Sequence, residues 1–90
     1  MPRDKYAYWK RKWLNRKGFE STAFVYATVN ERWNQWLDGG ITISDCSRQI
    51  TLDFMSSDDA DFKNCLYKLD TLIEVLQEYR DAYEAEWNKE

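Results

Sequence analysis

Between residues 58 and 88 apolar side chains return every three or four positions. Phe62, Cys65, Leu69, Leu72, Leu76, Tyr79 and Tyr83 form the seam, and Leu66, Ile73 and Trp87 widen it. That period predicts one long amphipathic helix over residues 57–88, with neither glycine nor proline to interrupt it. Ser56 and Ser57 offer N-cap hydroxyls, and Asp58, Asp59 and Asp61 suit the positive end of the helix dipole. About 30 residues at ~1.5 Å each make a rod of about 45 Å. Strands of about 5–8 residues reach only about 17–27 Å. The end carrying Tyr79, Tyr83 and Trp87 therefore outruns a small sheet and needs another neighbour.

Upstream the period shortens. Residues 19–30 are rich in β-branched and aromatic types, and Ile50, Leu52 and Phe54 alternate with Thr51 and Asp53. Strands are predicted over 19–30, 41–45 and 49–55, with a turn at Asp45-Cys46-Ser47-Arg48. Residues 31–38 fit two patterns. Trp33, Trp36 and Leu37 follow helical spacing, whereas Trp33, Gln35 and Leu37 alternate as a strand. An Asp38-Gly39-Gly40 turn leading into Ile41-Thr42-Ile43 favours a hairpin, and with it the strand. At the N-terminus Tyr6, Trp9 and Trp13 fall in a narrow helical arc, so within the basic aromatic segment of residues 1–17 a short helix is expected over 3–17, capped by Gly18. The expected fold is α+β: an antiparallel sheet of three to four strands within residues 19–55, the short N-terminal helix, and the long C-terminal helix packed across the sheet.

The chain has 90 residues, 43% hydrophobic, 32% charged and 17% aromatic, which suits one globular domain over residues 1–90. No apolar run approaches the roughly 20 residues of a membrane span, and no secretory signal is recognisable. Histidine is absent, which removes the commonest general base and the commonest metal ligand. Cys46 and Cys65 lack the spacing of a zinc site; they read as free thiols of a reducing cytosol, with a Cys46–Cys65 bridge as the alternative. Gly39-Gly40 belongs to no phosphate loop, and the clustered aspartates lack the calcium-loop pattern. The sequence predicts no enzyme, no cofactor and no metal.

The net charge of −3 conceals a division. Residues 1–17 hold seven cations against one aspartate, or +6; the remainder holds six cations against fifteen carboxylates, or −9. Lys5, Lys10, Arg11, Lys12, Arg16 and Lys17 interleave with Tyr6, Trp9 and Trp13, a combination that can neutralise phosphates while rings stack on bases. The same residues could dock on an anionic membrane surface. The plainer reading packs these rings on the sheet. On the long helix, Asp70, Glu74, Glu78 and Asp81 share one side with no Lys or Arg three or four residues away. Such a face is the ordinary solvated surface of an acidic protein, is neutralised by the basic arm folding back, or meets a basic partner. Fifteen aromatics exceed what so small a core can hide, and aromatic residues are enriched in interface cores.

The composition, small, acidic, aromatic-rich and without catalytic residues, resembles that of phage- or mobile-element-encoded inhibitors such as anti-CRISPR proteins. The resemblance covers no motif and transfers no site residue. The function it implies, with the acidic face, is a cytoplasmic non-enzymatic module that binds and inhibits a basic partner, of the kind whose surface otherwise binds nucleic acid. Asp70, Glu74, Glu78 and Asp81 would form the binding face, with Tyr79, Tyr83 and Trp87 as partner or homodimer contacts. The alternatives are a nucleic-acid-binding protein acting through the basic arm, and a homo-oligomeric structural protein.

Overall fold

The computed structural model describes residues 6–19 and 22–89. Four strands, β1 (Tyr6–Trp13), β2 (Phe24–Asn30), β3 (Leu37–Asp45) and β4 (Arg48–Ser56), are followed by one helix, α1 (Asp59–Trp87). The strands form an antiparallel meander in the order β1-β2-β3-β4. The architecture is α+β, with four strands and a single helix among the described residues.

The expected N-terminal helix is instead strand β1. Tyr6, Trp9 and Trp13 satisfy a helical arc, but Trp9, Arg11 and Trp13 also alternate against Tyr8, Lys10 and Lys12. A helix of one short segment is marginal in water, whereas the free edge of β2 offers backbone partners from Tyr6↔Asn30 to Trp13↔Phe24. Gly18 therefore caps no helix; it supplies a φ of +98° in the connection between β1 and β2.

Residues 31–38 also differ from expectation. The hairpin turn is Asn34-Gln35, flanked by a Trp33–Trp36 bridge, and Asn34 takes φ +56°. Asparagine tolerates that region, and Arg32 Nε donates to the Asn34 carbonyl at 2.8 Å. Gly39 and Gly40 lie inside β3. Gly39 is needed there because a Cβ would strike the Thr28 carbonyl of β2. The turn between β3 and β4 is where the sequence puts it, with Cys46 at φ +59°.

The start of α1 uses a different cap from the predicted serines. Asp58 is the N-cap and accepts from the Asp61 amide at 2.8 Å. Asp61 returns to the Ser57 amide and hydroxyl, at 3.4 and 3.1 Å. Ser56 is buried and donates to Cys65 Sγ at 3.4 Å, tying the helix to the end of β4. The Cys65 thiol in turn meets the Met55 carbonyl at 3.6 Å, and Cys46 and Cys65 are not bonded to each other.

Strand alternation sorts the sheet into two faces. The inner face, toward α1, carries rows Tyr8–Val29–Gly39–Phe54, Lys10–Ala27–Ile41–Leu52 and Lys12–Val25–Ile43–Ile50. The outer face carries Trp9–Thr28–Gly40–Asp53, Arg11–Tyr26–Thr42–Thr51 and Trp13–Phe24–Ser44–Gln49. Rather than crossing the whole inner face, α1 packs along β4. Cys65, Leu69 and Leu72 are half-buried, and every described residue after Leu72 is exposed. No large side chain is fully buried among the described residues; the buried positions are Ala23, Ser44 and Ser56.

The Gly39 contact makes a paired test. Gly39→Ala should cost about 1–3 kcal/mol through overpacking against β2. Gly40→Ala, whose Cβ would meet the Leu52 carbonyl at an ordinary 3.4 Å, should stay within about 0.5 kcal/mol. Thermal melts followed by circular dichroism compare the two; equal losses would contradict the assignment.

Candidate functional site

Three exposed surfaces carry the candidate residues, and the sheet keeps them apart. The first is the solvent side of α1. Asp70, Glu74 and Glu78 are exposed and have no ion-pair partner among the described residues. Asp81 differs, because the adjacent Arg80 holds it at 3.2 Å and also reaches Glu84 at 3.2 Å. The nearest helical cation, Lys68, is committed to the sheet: it donates to the Asp53 carbonyl at 2.9 Å and lies 4.6 Å from the Phe54 ring centre. Strand β1 sits at the opposite edge of the sheet from β4, so its cations do not neutralise this face within the chain.

Beyond Leu72 the helix leaves its sheet. Tyr79 and Tyr83 stack at a centroid distance of 6.2 Å. Tyr83 and Trp87 are 71% and 84% exposed, so the rings lack cover within the chain. The structure thus brings the carboxylates and these aromatics onto one protruding helix.

The second surface is the β1–β2 half of the outer face. Trp9 meets Tyr26 edge-on at 5.9 Å and donates from Nε1 to its hydroxyl at 3.2 Å. Trp13 meets Phe24 edge-on at 5.9 Å, and the Arg11 guanidinium lies 4.6 Å from Phe24 and 5.1 Å from Trp13. Tyr6 joins this cluster; its phenol is held above its ordinary pKa, first by a hydrogen bond with Tyr26 and then by their mutual charge repulsion and burial. Lys10 and Lys12 point to the other face, while Arg16 and Lys17 lie in the following loop. Lys5 lies outside the described residues. The proposed nucleic-acid set is therefore divided by the strand: one cation (Arg11) and three rings (Tyr6, Trp9 and Trp13) on the outer face, two lysines on the inner.

The third surface was not foreseen. Between α1 and the uncovered part of the inner face runs an apolar groove of about 290 Å³. Ala27, Val29, Gly39 and Ile41 form its floor, with Tyr8 on one wall and Phe62 and Leu66 on the other. The apolar alternation of residues 23–29 signalled it: a face of Ala23, Val25, Ala27 and Val29 must lie against something. What that something is depends on where the helix lands, which periodicity does not reveal.

No protein-family model, no curated protein and no solved structure matches this chain.

The ring cluster yields a stability test. Arg11→Gln removes a cation from two ring faces at an exposed site, worth about 0.5–1 kcal/mol. Urea denaturation should show that loss, and Lys17→Gln in the loop should show none.

Proposed function

We propose that the chain is a non-enzymatic protein-binding module that presents the protruding part of α1 to a basic surface on another protein, inhibiting whatever that surface otherwise binds. One observation carries the reading. Asp70, Glu74 and Glu78 run unpaired along an exposed helix that continues into uncovered Tyr79, Tyr83 and Trp87. Like charges spaced three or four residues apart each cost a helix about 0.2–0.5 kcal/mol. A protein optimised only for its own stability gains nothing from that repulsion, whereas a cationic partner removes it. Aromatic rings are the usual anchors of protein contacts, and the carboxylates, on the other side of the helix from Tyr79, Tyr83 and Trp87, act chiefly on the association rate.

The test compares retained proteins on immobilised wild-type and Glu74→Gln/Glu78→Gln chains, using nuclease-treated lysate of the native host. A basic protein held by the wild type, released by salt and associating more slowly with the variant supports the proposal. Identical retention by both chains would overturn it.

A second reading rests on the outer face, where Trp9, Trp13, Phe24 and Tyr26 form a ring platform beside Arg11. Exposed rings on a sheet can stack on single-stranded bases. It ranks second because Arg11 already covers Trp13 and Phe24, and because Asp38 and Asp53 on the same face repel phosphate. Quenching of tryptophan fluorescence by a single-stranded oligonucleotide, lost in Trp9→Ala/Trp13→Ala and weakened steeply by salt, would favour it. No quenching at low ionic strength would remove it.

A further inference from the structure

The two edges of the sheet are not alike, and we propose that the open one, strand β1, takes up an extended acidic segment of another protein as a fifth, antiparallel strand. The proposal stands apart from the reading of α1, which packs along the opposite edge.

Backbone parity identifies the free groups. The Leu14 amide donates to the Ala23 carbonyl at 2.9 Å, and the register runs on from Trp13↔Phe24 to Tyr8↔Val29. In an antiparallel ladder the bonded pairs recur at every second residue. The backbone groups of Lys12, Lys10 and Tyr8 therefore meet those of Val25, Ala27 and Val29. The N–H and C=O groups of Trp9, Arg11 and Trp13 point away from the sheet. Carried across β2 and β3, the same alternation turns the odd-numbered residues of β4 outward. There the helix closes the edge: Lys68 donates to the Asp53 carbonyl at 2.9 Å, and the Cys65 thiol meets the Met55 carbonyl at 3.6 Å. Among the described elements only β2 packs on β1, and every residue of β1 is exposed. An open edge of this kind is where an extended peptide adds to a sheet.

Charge selects the occupant. Lys10, Arg11 and Lys12 are consecutive, Arg16 and Lys17 follow, and no carboxylate occurs between Tyr6 and Phe19. Opposite charges facing each other across strands stabilise a sheet. The neighbour of β1, however, carries no charged side chain: Lys10, Arg11 and Lys12 face Ala27, Tyr26 and Val25. Lys10 and Lys12 have no ion-pair partner among the described residues. A carboxylate can take the cross-strand place beside them only from the open edge.

Alternation sets the pattern of the segment. Its residues opposite Lys10 and Lys12 lie on the inner face and are acidic. Those opposite Trp9 and Trp13 lie on the outer face beside exposed rings and are β-branched or aromatic. A second copy of β1 does not fit, because a two-fold pairing of Trp9–Trp13 with itself sets Lys10 against Lys12 and Arg11 against Arg11. Lysines on an edge deter strand pairing in general; here they turn away basic strands and admit an acidic one.

Amide hydrogen exchange of the full chain, followed by NMR, tests the edge directly. In the free chain the amides of Trp9, Arg11 and Trp13 should exchange faster than those of Lys10, Lys12 and Leu14. The probe is an end-blocked seven-residue peptide alternating threonine with glutamate, threonine at both ends, titrated at low ionic strength. It should slow the three outward amides and leave the inward ones as they were. Antiparallel pairing turns its threonine amides toward β1 and its glutamate amides toward solvent. N-methylated threonines should therefore weaken binding on the order of tenfold, and N-methylated glutamates far less. Lys10→Glu/Lys12→Glu, folded by circular dichroism, should also bind the peptide about tenfold more weakly and should prefer its lysine counterpart. A glutamate peptide that leaves the outward amides unprotected overturns the proposal. So does binding indifferent to which residues are N-methylated or to the charge on β1. A single-stranded oligonucleotide that protects the same amides better than the peptide overturns it too. None of these results touches the capture experiment, which judges α1 and its basic partner separately.

Discussion

Everything in this structure follows from an imbalance of cover: a single helix must serve a four-stranded sheet. Hydrophobic burial is the main force that offsets the entropy of ordering a chain, and it requires two layers of matching width. Here the layers match along β4, where Cys65, Leu69 and Leu72 are half-buried and Ser56 ties the helix to the strand end. Across β1 and β2 they do not match. The helix has length to spare and the sheet has width to spare, and no packing of one copy alone corrects both.

The outer face manages its exposure differently. Edge-on ring pairs, a guanidinium over two rings and a Thr42–Thr51 hydroxyl contact at 3.0 Å give it lateral cohesion without a covering layer. Cross-strand pairs of this kind stabilise a sheet face in contact with water. Lysines on β1 also guard the free edge of the sheet, where unpaired backbone groups invite indiscriminate pairing with other strands.

What could be read from sequence divides along physical lines. The long helix was legible because its seam runs through several turns, so no single misplaced residue obscures the period. Strands β3 and β4 and their Cys46-Ser47 turn were legible because alternation and turn chemistry agree. β1 was not, because Tyr6, Trp9 and Trp13 satisfy a helical arc while Trp9, Arg11 and Trp13 satisfy a strand. What decides is a free edge on β2, a tertiary fact. Gly39-Gly40 misled for a related reason: a glycine that permits a turn and a glycine that permits close approach of a neighbouring backbone look alike in sequence. Among the candidate residues, the exposure of Asp70, Glu74 and Glu78 followed from the helical wheel. Pairing of Asp81 with Arg80 did not, because the three- and four-residue spacings that bring helical side chains together pass over the adjacent position, yet a long guanidinium side chain bridges that angle.

The two faces also bear on how one small chain can serve two contacts. A molecule seated in the groove meets the inner face of the sheet. It leaves untouched Trp9, Arg11, Trp13, Phe24 and Tyr26, because strand alternation puts them on the other side of the sheet. Contacts made in the groove and contacts made by the outer face are then independent.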